Sequence, residues 1–299
     1  MNGRLMWRKM VNGVMLSLTG VFTVATISVL FLILGYLVYY GGRSLDWNFF
    51  TRLPLSPGEQ GGGMANAIVG TVQIVGTAAF IGLPIGFLAG VYLSEFEDRR
   101  FAPLVRYVAD LLNGIPSIVI GLLAWSLVVV PMRRFSALAG SIALSVMLVP
   151  IVTRQTEQFL REVPSALREG ALALGASKWK MIATVVVPAG SKGVLTGMIL
   201  GVARIAGESA PLLFTSLNNQ FWGGFTQPTA SLPQMIYTHA ISVYDDWHRQ
   251  AWAAGLVLIT LGMFGENFTT EGLFERDLHV GDRLQIGSSK SRTHAFHGT

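Results

Sequence analysis

The sequence predicts an all-α integral membrane protein with about six transmembrane helices. Of its 299 residues 51% are hydrophobic and only 13% are charged, and the mean hydropathy is +0.51, values that are untypical of a soluble domain. Runs of about 20 apolar residues are needed to cross the hydrocarbon core as helix. Five such runs are present, at 14–40, 65–93, 104–130, 135–152 and 193–217. The chain is therefore expected to cross a membrane several times.

The two ends of the chain set the limits of this membrane domain. The first apolar run follows a basic segment, but it is too long for a secretion signal and lacks a small-residue cleavage site, so we expect it to be retained as a helix. A sixth run, 251–265, reaches only about 22 Å as helix against a core of about 30 Å, and a bare spanning helix would not fit. We therefore divide the chain into a cytoplasmic N-terminus (1–13), a transmembrane permease domain (14–265) and an atypical polar tail (266–299).

Lysine and arginine residues in the short loops predict the orientation. With the N-terminus inside, the inner loops carry twelve of these residues and the outer loops five. Cytoplasmic loops are enriched in Lys and Arg, so this count favours an inside N-terminus. The basic pI of about 9.7 then reflects topology, because the sequence shows no basic groove interleaved with aromatic residues that would indicate nucleic-acid binding.

A polar island at 154–192 lies on the same, cytoplasmic side of this topology. Ala166 to Leu174 favours helix, Gly175 interrupts it, and a second helix can follow. Ser165 is a candidate N-cap for the first of the two helices. The island is thus predicted to form a helix, a glycine bend and a second helix.

One face of this island has the composition of a docking surface. Ala171, Leu172 and Leu174 give an apolar face with Glu169 at its rim, a pattern typical of a helix that enters a groove on a soluble partner. We expect Pro188 to end the element where the next span begins. The alternative is an amphipathic hairpin that lies on anionic lipid.

Glycine and proline residues mark close packing and breaks inside the spans. Glycines recur at four-residue spacing, at 82, 86 and 90 and again at 193, 197 and 201, which lets another helix approach closely. Helix breaks are expected at Pro84, at Asn113 to Ser117 and at Pro150. The break with Asn113 and Ser117 is the most polar, and it is either a bend near a translocation path or a packing kink.

The strongest chemical signal inside a span is Arg204 with Glu208. Ionisable residues in the bilayer are costly and usually face a pathway or one another. Four-residue spacing places Arg204 and Glu208 on one face of a helix, where they can pair. A guanidinium with five donors suits a tetrahedral oxyanion, and the carboxylate can orient it or weaken its grip. A purely structural ion pair is the alternative.

Several segments together resemble a known family. Glu169-Gly170-Ala171, Gly175 and, after nine residues, Val185-Val186-Val187-Pro188 resemble the EAA loop of the membrane subunits of bacterial ATP-binding-cassette importers, with Gly170 in place of the usual alanine. Three further segments resemble signatures of the phosphate importer permeases of the PstA family, over about residues 10 to 261. These segments are Asn113 to Val119, Gly207 to Thr215 and Ser231 to Tyr237.

This resemblance implies a MetI-like permease fold and a role in phosphate import across the bacterial inner membrane. It implies a second permease subunit (PstC-like), a separate ATPase (PstB-like) and a periplasmic phosphate-binding protein (PstS-like), with no cofactor. Arg204, Glu208 and Ser209, with Asn113 and Ser117, become candidates for the substrate path. The segment from Glu169 to Pro188, with Gly170, Ala171 and Gly175, becomes the candidate for ATPase coupling.

Absent motifs limit the alternatives. The sequence contains no Gly-x4-Gly-Lys-Ser/Thr phosphate loop, so ATP must be hydrolysed by another polypeptide. It has no cysteine, no paired histidine spacing typical of a metal site and no catalytic triad order, which argues against an enzyme. Three alternatives remain: a permease for another oxyanion, such as molybdate or sulfate, the paired phosphate permease subunit, and an ion-driven secondary transporter or channel.

Overall fold

The computed structural model describes residues 3–96 and 101–270 and the short strands 285–286 and 289–290, and this part of the chain is almost entirely helical. The helices are α1 Gly3–Ser44, α2 Trp47–Thr51, α3 Ala65–Glu95, α4 Ala102–Gly114, α5 Ser117–Ala124, α6 Val130–Met132, α7 Ala137–Arg161, α8 Ser165–Ala173, α9 Lys178–Met181, α10 Val187–Ala206, α11 Ala210–Thr215, α12 Leu232–Ala240 and α13 Asp245–Thr270. Two π-helical turns, π1 Trp125–Val129 and π2 Ile182–Val186, precede α6 and α10. Strands β1 Gln285–Ile286 and β2 Ser289–Lys290 pair antiparallel, with Gln285 opposite Lys290. The predicted all-α class is confirmed.

Four helical runs of the described residues are long and apolar enough to cross a membrane. They are Trp7–Ser44, Ala65–Glu95, Ala137–Arg161 and Lys178–Ala206. A bent pair, Ala102–Gly114 with Ser117–Met132, makes a fifth if its two helices form one span. The chain is a multi-pass membrane protein. The first three predicted runs each fall within one of these helices or within the bent pair, and the fourth, 135–152, begins two residues before Ala137–Arg161.

The last two predicted spans have different limits in the structure. The fifth, predicted at 193–217, belongs to a helical run that begins at Lys178 and ends at Ala206, because Gly207 weakens the helix and Pro211 follows. The sixth lies inside α13, whose 26 residues span about 39 Å. The expectation that this helix is too short to cross the hydrocarbon core is therefore wrong. However, α13 is not among the described helices that are apolar enough to count as candidate spans. Residues 266–270 end α13, and the remaining tail, apart from β1 and β2, lies outside the described residues.

Two prolines predicted to break helices do not break them. Pro84 lies inside α3 and Pro150 inside α7, and both helices continue. The break predicted around Pro116 is present, since α4 ends at Gly114 and α5 begins at Ser117. Ile115 there is extended, with ψ 132°, as expected for a residue before proline.

Two other prolines each follow a π-helical turn by two residues. Val187 donates its N–H to Ile182, five residues back, just before Pro188, and Val130 does the same to Trp125 before Pro131. In an α-helix a proline ring clashes with the carbonyl group four residues before it. Here that carbonyl lies in the wider π turn, which makes room for the ring. The expectation that Pro188 ends the coupling element is therefore wrong, because π2 lets the helix run on into α10.

The described residues form two compact units. Unit 1 comprises the described residues within Met1–Ala78, Pro116–Leu144 and Ala206–Thr260, and unit 2 comprises those within Ala79–Ile115, Ser145–Ile205 and Leu261–Thr299. The core of unit 1 joins α2, the start of α3, α12 and α13 through Phe49, Met64, Leu232 and Met235, among others.

The core of unit 2 is organised around α7. Val91, Leu160, Met181 and Val194 lie among the residues of its apolar cluster. Both predicted glycine ladders pack on α7. An added Cβ at Gly90 of α3 would lie 2.7 Å from the carbonyl oxygen of Thr153, and Gly197 and Gly201 of α10 face Gln155 and Leu148. The four-residue glycine spacing thus serves close helix packing, as expected.

Candidate functional site

The segment between α7 and α10 forms the predicted helix, glycine bend and second helix. Only residues 162–177 lie outside the long helical runs, so the polar island of 154–192 is a shorter excursion than expected. α8 ends in a Schellman motif, in which Ala176 donates to Ala171 and Gly175 donates to Leu172. Gly175 has φ 82°, the left-handed conformation that glycine adopts without steric cost. We call residues 162–181 the coupling segment.

Capping at the two helix starts differs from expectation. Ser165 is the first residue of α8 and the N-cap position belongs to Pro164, which makes no side-chain cap bond, so the prediction for Ser165 is wrong. Ser177 is the N-cap of α9, and its hydroxyl accepts from the N–H of Lys180 at 3.4 Å. Proline at the N-cap restricts the backbone at the start of α8, but its side chain cannot accept hydrogen bonds from the free N–H groups of the first turn.

One arginine attaches α8 to the ends of two other helices. Arg168 donates from Nε and Nη2 to Oε1 of Glu95, at 3.2 and 2.9 Å. The same guanidinium donates to the carbonyl oxygens of Leu160 and Val163 at the end of α7. The Glu95 side chain is only 4% exposed, so this is a largely buried, charge-assisted contact.

A second contact holds the residue after α3. Lys178 donates to the carbonyl oxygen of Glu95 at 2.7 Å, and its ammonium lies 4.2 Å from the centre of the Phe96 ring. Trp179 packs on Phe96 with the ring centroids 5.5 Å apart. A cation at the last carbonyls of a helix is favoured by the helix dipole and by the aromatic ring.

The outward face of the coupling segment is apolar and exposed. Leu174 is 90% exposed and Leu172 46%, while Leu167 and Trp179 add exposed apolar surface that sequence reasoning missed. Glu169, Gly170 and Gly175 are exposed as well. Ala171 differs from the expectation, because it is half-buried and packs on the apolar cluster of unit 2. Only part of the predicted docking face is therefore free to meet another protein.

A buried carboxylate on α7 forms a second charged centre in unit 2. Glu157 accepts from Arg106 at 2.7 Å, from Arg154 at 2.6 Å and from Arg161 at 3.1 Å, while its own side chain is 5% exposed. Arg154 also contacts Asp110 of α4 at 2.9 Å. Sequence analysis missed this centre, although the spacing of Arg154, Glu157 and Arg161 along one helix face could have indicated it.

The predicted path residues do not form the expected helical pair. Arg204 lies in the last turn of α10 and is exposed, whereas Glu208 lies beyond the end of that helix. The prediction that both lie on one helix face is wrong, because the helix ends at Ala206 before the glycine at 207. Among the described residues neither side chain has a hydrogen-bond or ion-pair partner.

The other path residues lie at helix ends. Ser209 occupies the N-cap position of α11 without a side-chain cap bond. Asn113 is exposed near the end of α4, and Ser117 is half-buried as the first residue of α5. Each hydroxyl or amide thus lies where helical backbone bonding stops, a position that suits contact with a polar ligand.

Within unit 1, the helices that carry parts of the three signature segments pack together. α5 crosses α11 so closely that an added Cβ at Gly121 would lie 2.6 Å from Cα of Pro211. Ser216, directly after α11, donates to Oε1 of Gln234 in α12 at 3.1 Å, and Ser231 donates to the same oxygen at 3.1 Å. The sequence placed these segments far apart, and only the tertiary structure joins them.

Comparison with known proteins gives the family and the fold. Residues 82–270 match the sequence model of the family described as binding-protein-dependent transport system inner membrane component. The chain is 44% identical to the phosphate transport system permease protein PstA of Haemophilus influenzae, over 92% of this chain and 97% of that one. It is 42% identical to the protein of the same name from Yersinia pestis, over 91% and 93%.

Solved structures of lower identity share the fold. A chain of the MetNI methionine ABC transporter in an inward facing conformation aligns with a TM-score of 0.59 and 18% identity, covering 70% of this chain and 95% of that one. A chain of a bacterial ABC transporter that imports alginate aligns with a TM-score of 0.61 and 15% identity, covering 89% and 98%. The predicted MetI-like permease fold is confirmed.

Proposed function

Because this chain belongs to the PstA family of phosphate transport system permease proteins, we propose that it provides a membrane path for inorganic phosphate in an ATP-driven importer. One observation carries the proposal, namely a match that extends over 92% of this chain and 97% of its Haemophilus relative. A match of this extent includes both the coupling segment and the three signature segments.

The partners follow from the same membership. We infer a second permease subunit (PstC-like), an ATPase (PstB-like), a periplasmic phosphate-binding protein (PstS-like) and a location in the bacterial inner membrane. The family description, binding-protein-dependent transport, supports the periplasmic partner. Exposed Leu172 and Leu174 support docking of an ATPase on the coupling segment, since leucines exposed outside the long helices are expected to be covered by a partner.

Arg204 is the residue that we assign to the phosphate. Its guanidinium is exposed at the end of α10 and has no ion-pair partner among the described residues, so its donors are available to a ligand. Five N–H donors in a planar fork match the oxygens of a phosphate. Glu208, Ser209, Asn113 and Ser117 are the further residues that we assign to the path.

Uptake by the reconstituted complex tests the substrate. The chain, assembled with its candidate partners in vesicles, should take up labelled phosphate only with ATP and should discriminate against sulfate and molybdate. Preferred uptake of sulfate or molybdate would identify a permease for another oxyanion. Uptake driven by an ion gradient without the ATPase would identify a secondary transporter and contradict the proposal.

Variants of Arg204 test its role separately from the substrate. Arg204→Gln should abolish uptake with assembly intact, and Arg204→Lys should recover it only in part, because an ammonium loses the bidentate geometry. Arg134→Gln, at another exposed arginine, should transport normally. Recovery of uptake in Arg204→Gln with Glu208→Gln would instead reduce Arg204 to a structural role.

A further inference from the structure

The C-terminal end of α3 is held by the coupling segment from two sides. Arg168 of α8 binds the side chain of Glu95, and Lys178 of α9 binds its backbone carbonyl oxygen and covers the ring of Phe96. Both helices of the coupling segment therefore contact Glu95, and α9 also contacts Phe96. No other helix end in the described part of unit 2 is bound by α8 and α9 together in this way.

Burial makes the carboxylate of Glu95 dependent on this contact. Its side chain is 4% exposed, and Oε1 accepts from Nε and Nη2 of Arg168 and from the hydroxyl of Ser94 at 3.1 Å. An ionised carboxylate that is removed from water needs a partner of opposite charge, and loss of that partner leaves a costly buried charge. The pair is therefore expected to stay formed when α8 is displaced.

The same guanidinium ties α8 to α7. Arg168 donates to the carbonyl oxygens of Leu160, in the last turn of α7, and of Val163, two residues after its end. One side chain thus bonds to the carboxylate at the end of α3 and to two carbonyl oxygens at the end of α7. Displacement of α8 should act on both α3 and α7 through Arg168.

The contact between α3 and α7 suits such a movement. Gly82, Gly86 and Gly90 of α3 face α7, so few side chains of α3 interlock with it over this stretch. An open cleft of about 450 Å³, lined by Glu95, Arg168, Leu172 and Lys178 among others, leaves space beside the pair. A smooth helix contact next to free space allows small sliding displacements.

From these contacts we propose that the Arg168–Glu95 pair is the link through which the coupling segment moves α3 when a bound ATPase displaces α8. Arg168 and Glu95 are positioning residues, since neither is placed on the phosphate. The inference rests on the function proposed above and specifies how ATP hydrolysis is transmitted to one spanning helix.

Single variants test the link in the reconstituted complex. Glu95→Gln and Arg168→Gln should each keep the ATPase bound and hydrolysing ATP, while phosphate transported per ATP hydrolysed falls about tenfold, because the charge-assisted bond is lost. Arg168→Lys keeps a positive charge opposite Glu95, so this variant should assemble even if Arg168→Gln does not, and its ratio of phosphate to ATP should be intermediate. Glu59→Gln, at an exposed carboxylate outside the coupling segment, should match the wild type.

The double variant Glu95→Met with Arg168→Met separates transmission from stability. Removing both partners leaves no buried charge, so the thermal stability and yield of the complex should return, whereas the ratio of phosphate to ATP should stay low. Recovery of the ratio together with stability would overturn the inference and leave a structural ion pair. A ratio of phosphate to ATP equal to that of the wild type in the single variants would also overturn the inference. If the unmodified complex took up no phosphate at all, the proposed function itself would be contradicted.

Discussion

Two regions of the molecule hold their helices together by different chemistry. Around the coupling segment in unit 2, the buried carboxylate Glu95 is bound by Arg168 of α8, and the buried carboxylate Glu157 is bound by Arg106 of α4 and by Arg154 of its own helix. Where α5, α11 and α12 meet in unit 1, contact depends on glycine, hydroxyl and amide groups such as Gly121, Ser216 and Gln234.

The difference follows from what each region has to do. Ion pairs are directional and keep helices linked over small displacements, but they are costly in the hydrocarbon core and suit the water-accessible end of a bundle. Small residues and hydroxyls allow close packing without any charge. We interpret the charged region as built for transmission and the neutral region as built for close packing.

The largest effect should come from the charged centre on α7. Glu157→Gln removes the acceptor shared by Arg106, Arg154 and Arg161, and because those arginines are 27–38% exposed the loss should be near the low end for buried pairs, about 3 kcal/mol. The thermal unfolding midpoint of the purified chain in detergent measures it. Glu162→Gln, an exposed neighbour, is the control, and equal midpoints for the two variants would contradict the role of charge in this region.

A smaller loss of stability is expected from a substitution in the neutral region. Gly121→Ala adds a Cβ that would lie 2.6 Å from Cα of Pro211, and backbone cannot move aside cheaply, so a loss of about 1–3 kcal/mol is expected. Gly76→Ala is the matched control, because no atom lies within 4 Å of its added Cβ. Should both variants unfold at the same temperature, close packing would not be what holds α5 on α11.

The bend of the coupling segment should be sensitive to a smaller change. Gly175→Ala places a Cβ at φ 82° and should destabilise the bend by about 1 kcal/mol, which weakens retention of the ATPase on the purified complex. Gly170→Ala, in the middle of α8 with open space around it, should retain the ATPase at least as well as the wild type. The ATPase that co-purifies with each variant measures the difference, and equal loss in both would exclude the bend as the cause.

The smallest change in stability at neutral pH is expected for a substitution of His239 in unit 1. Burial lowers the pKa of His239 from 6.5 to about 4, opposed by nearby Asp246, and its ring stacks on Trp247 with centroids 4.3 Å apart. The unfolded chain therefore binds a proton between pH 6.5 and 4 that the native chain does not, so stability is full above pH 6.5 and falls as the pH drops to about 4. His239→Phe keeps the aromatic stack on Trp247 and should make the thermal unfolding midpoint less dependent on pH across this window. If the midpoint of the variant depends on pH as strongly as that of the wild type, other groups cause the effect.

Much of the fold could be predicted from the sequence because it depends on local patterns. Apolar length located the spans, four-residue glycine spacing located the contacts on α7, and Gly175 marked the bend of the coupling segment. The limits of the helices were less predictable. Pro188 was expected to end an element, but the π turn before it is a property of backbone hydrogen bonding that the residue types alone do not indicate.

The sequence by itself determined that this chain is a helical membrane protein with a polar segment between two of its spans and a cation at Arg204, since these depend on composition and short spacings. Tertiary structure alone decided the rest. It separated Glu208 from the helix of Arg204, turned Ala171 inward, and paired Arg168 with Glu95, 73 positions apart in the chain. The physical reason is that partners for buried charges come from whichever helices pack together, and spacing along one helix carries no information about its neighbours.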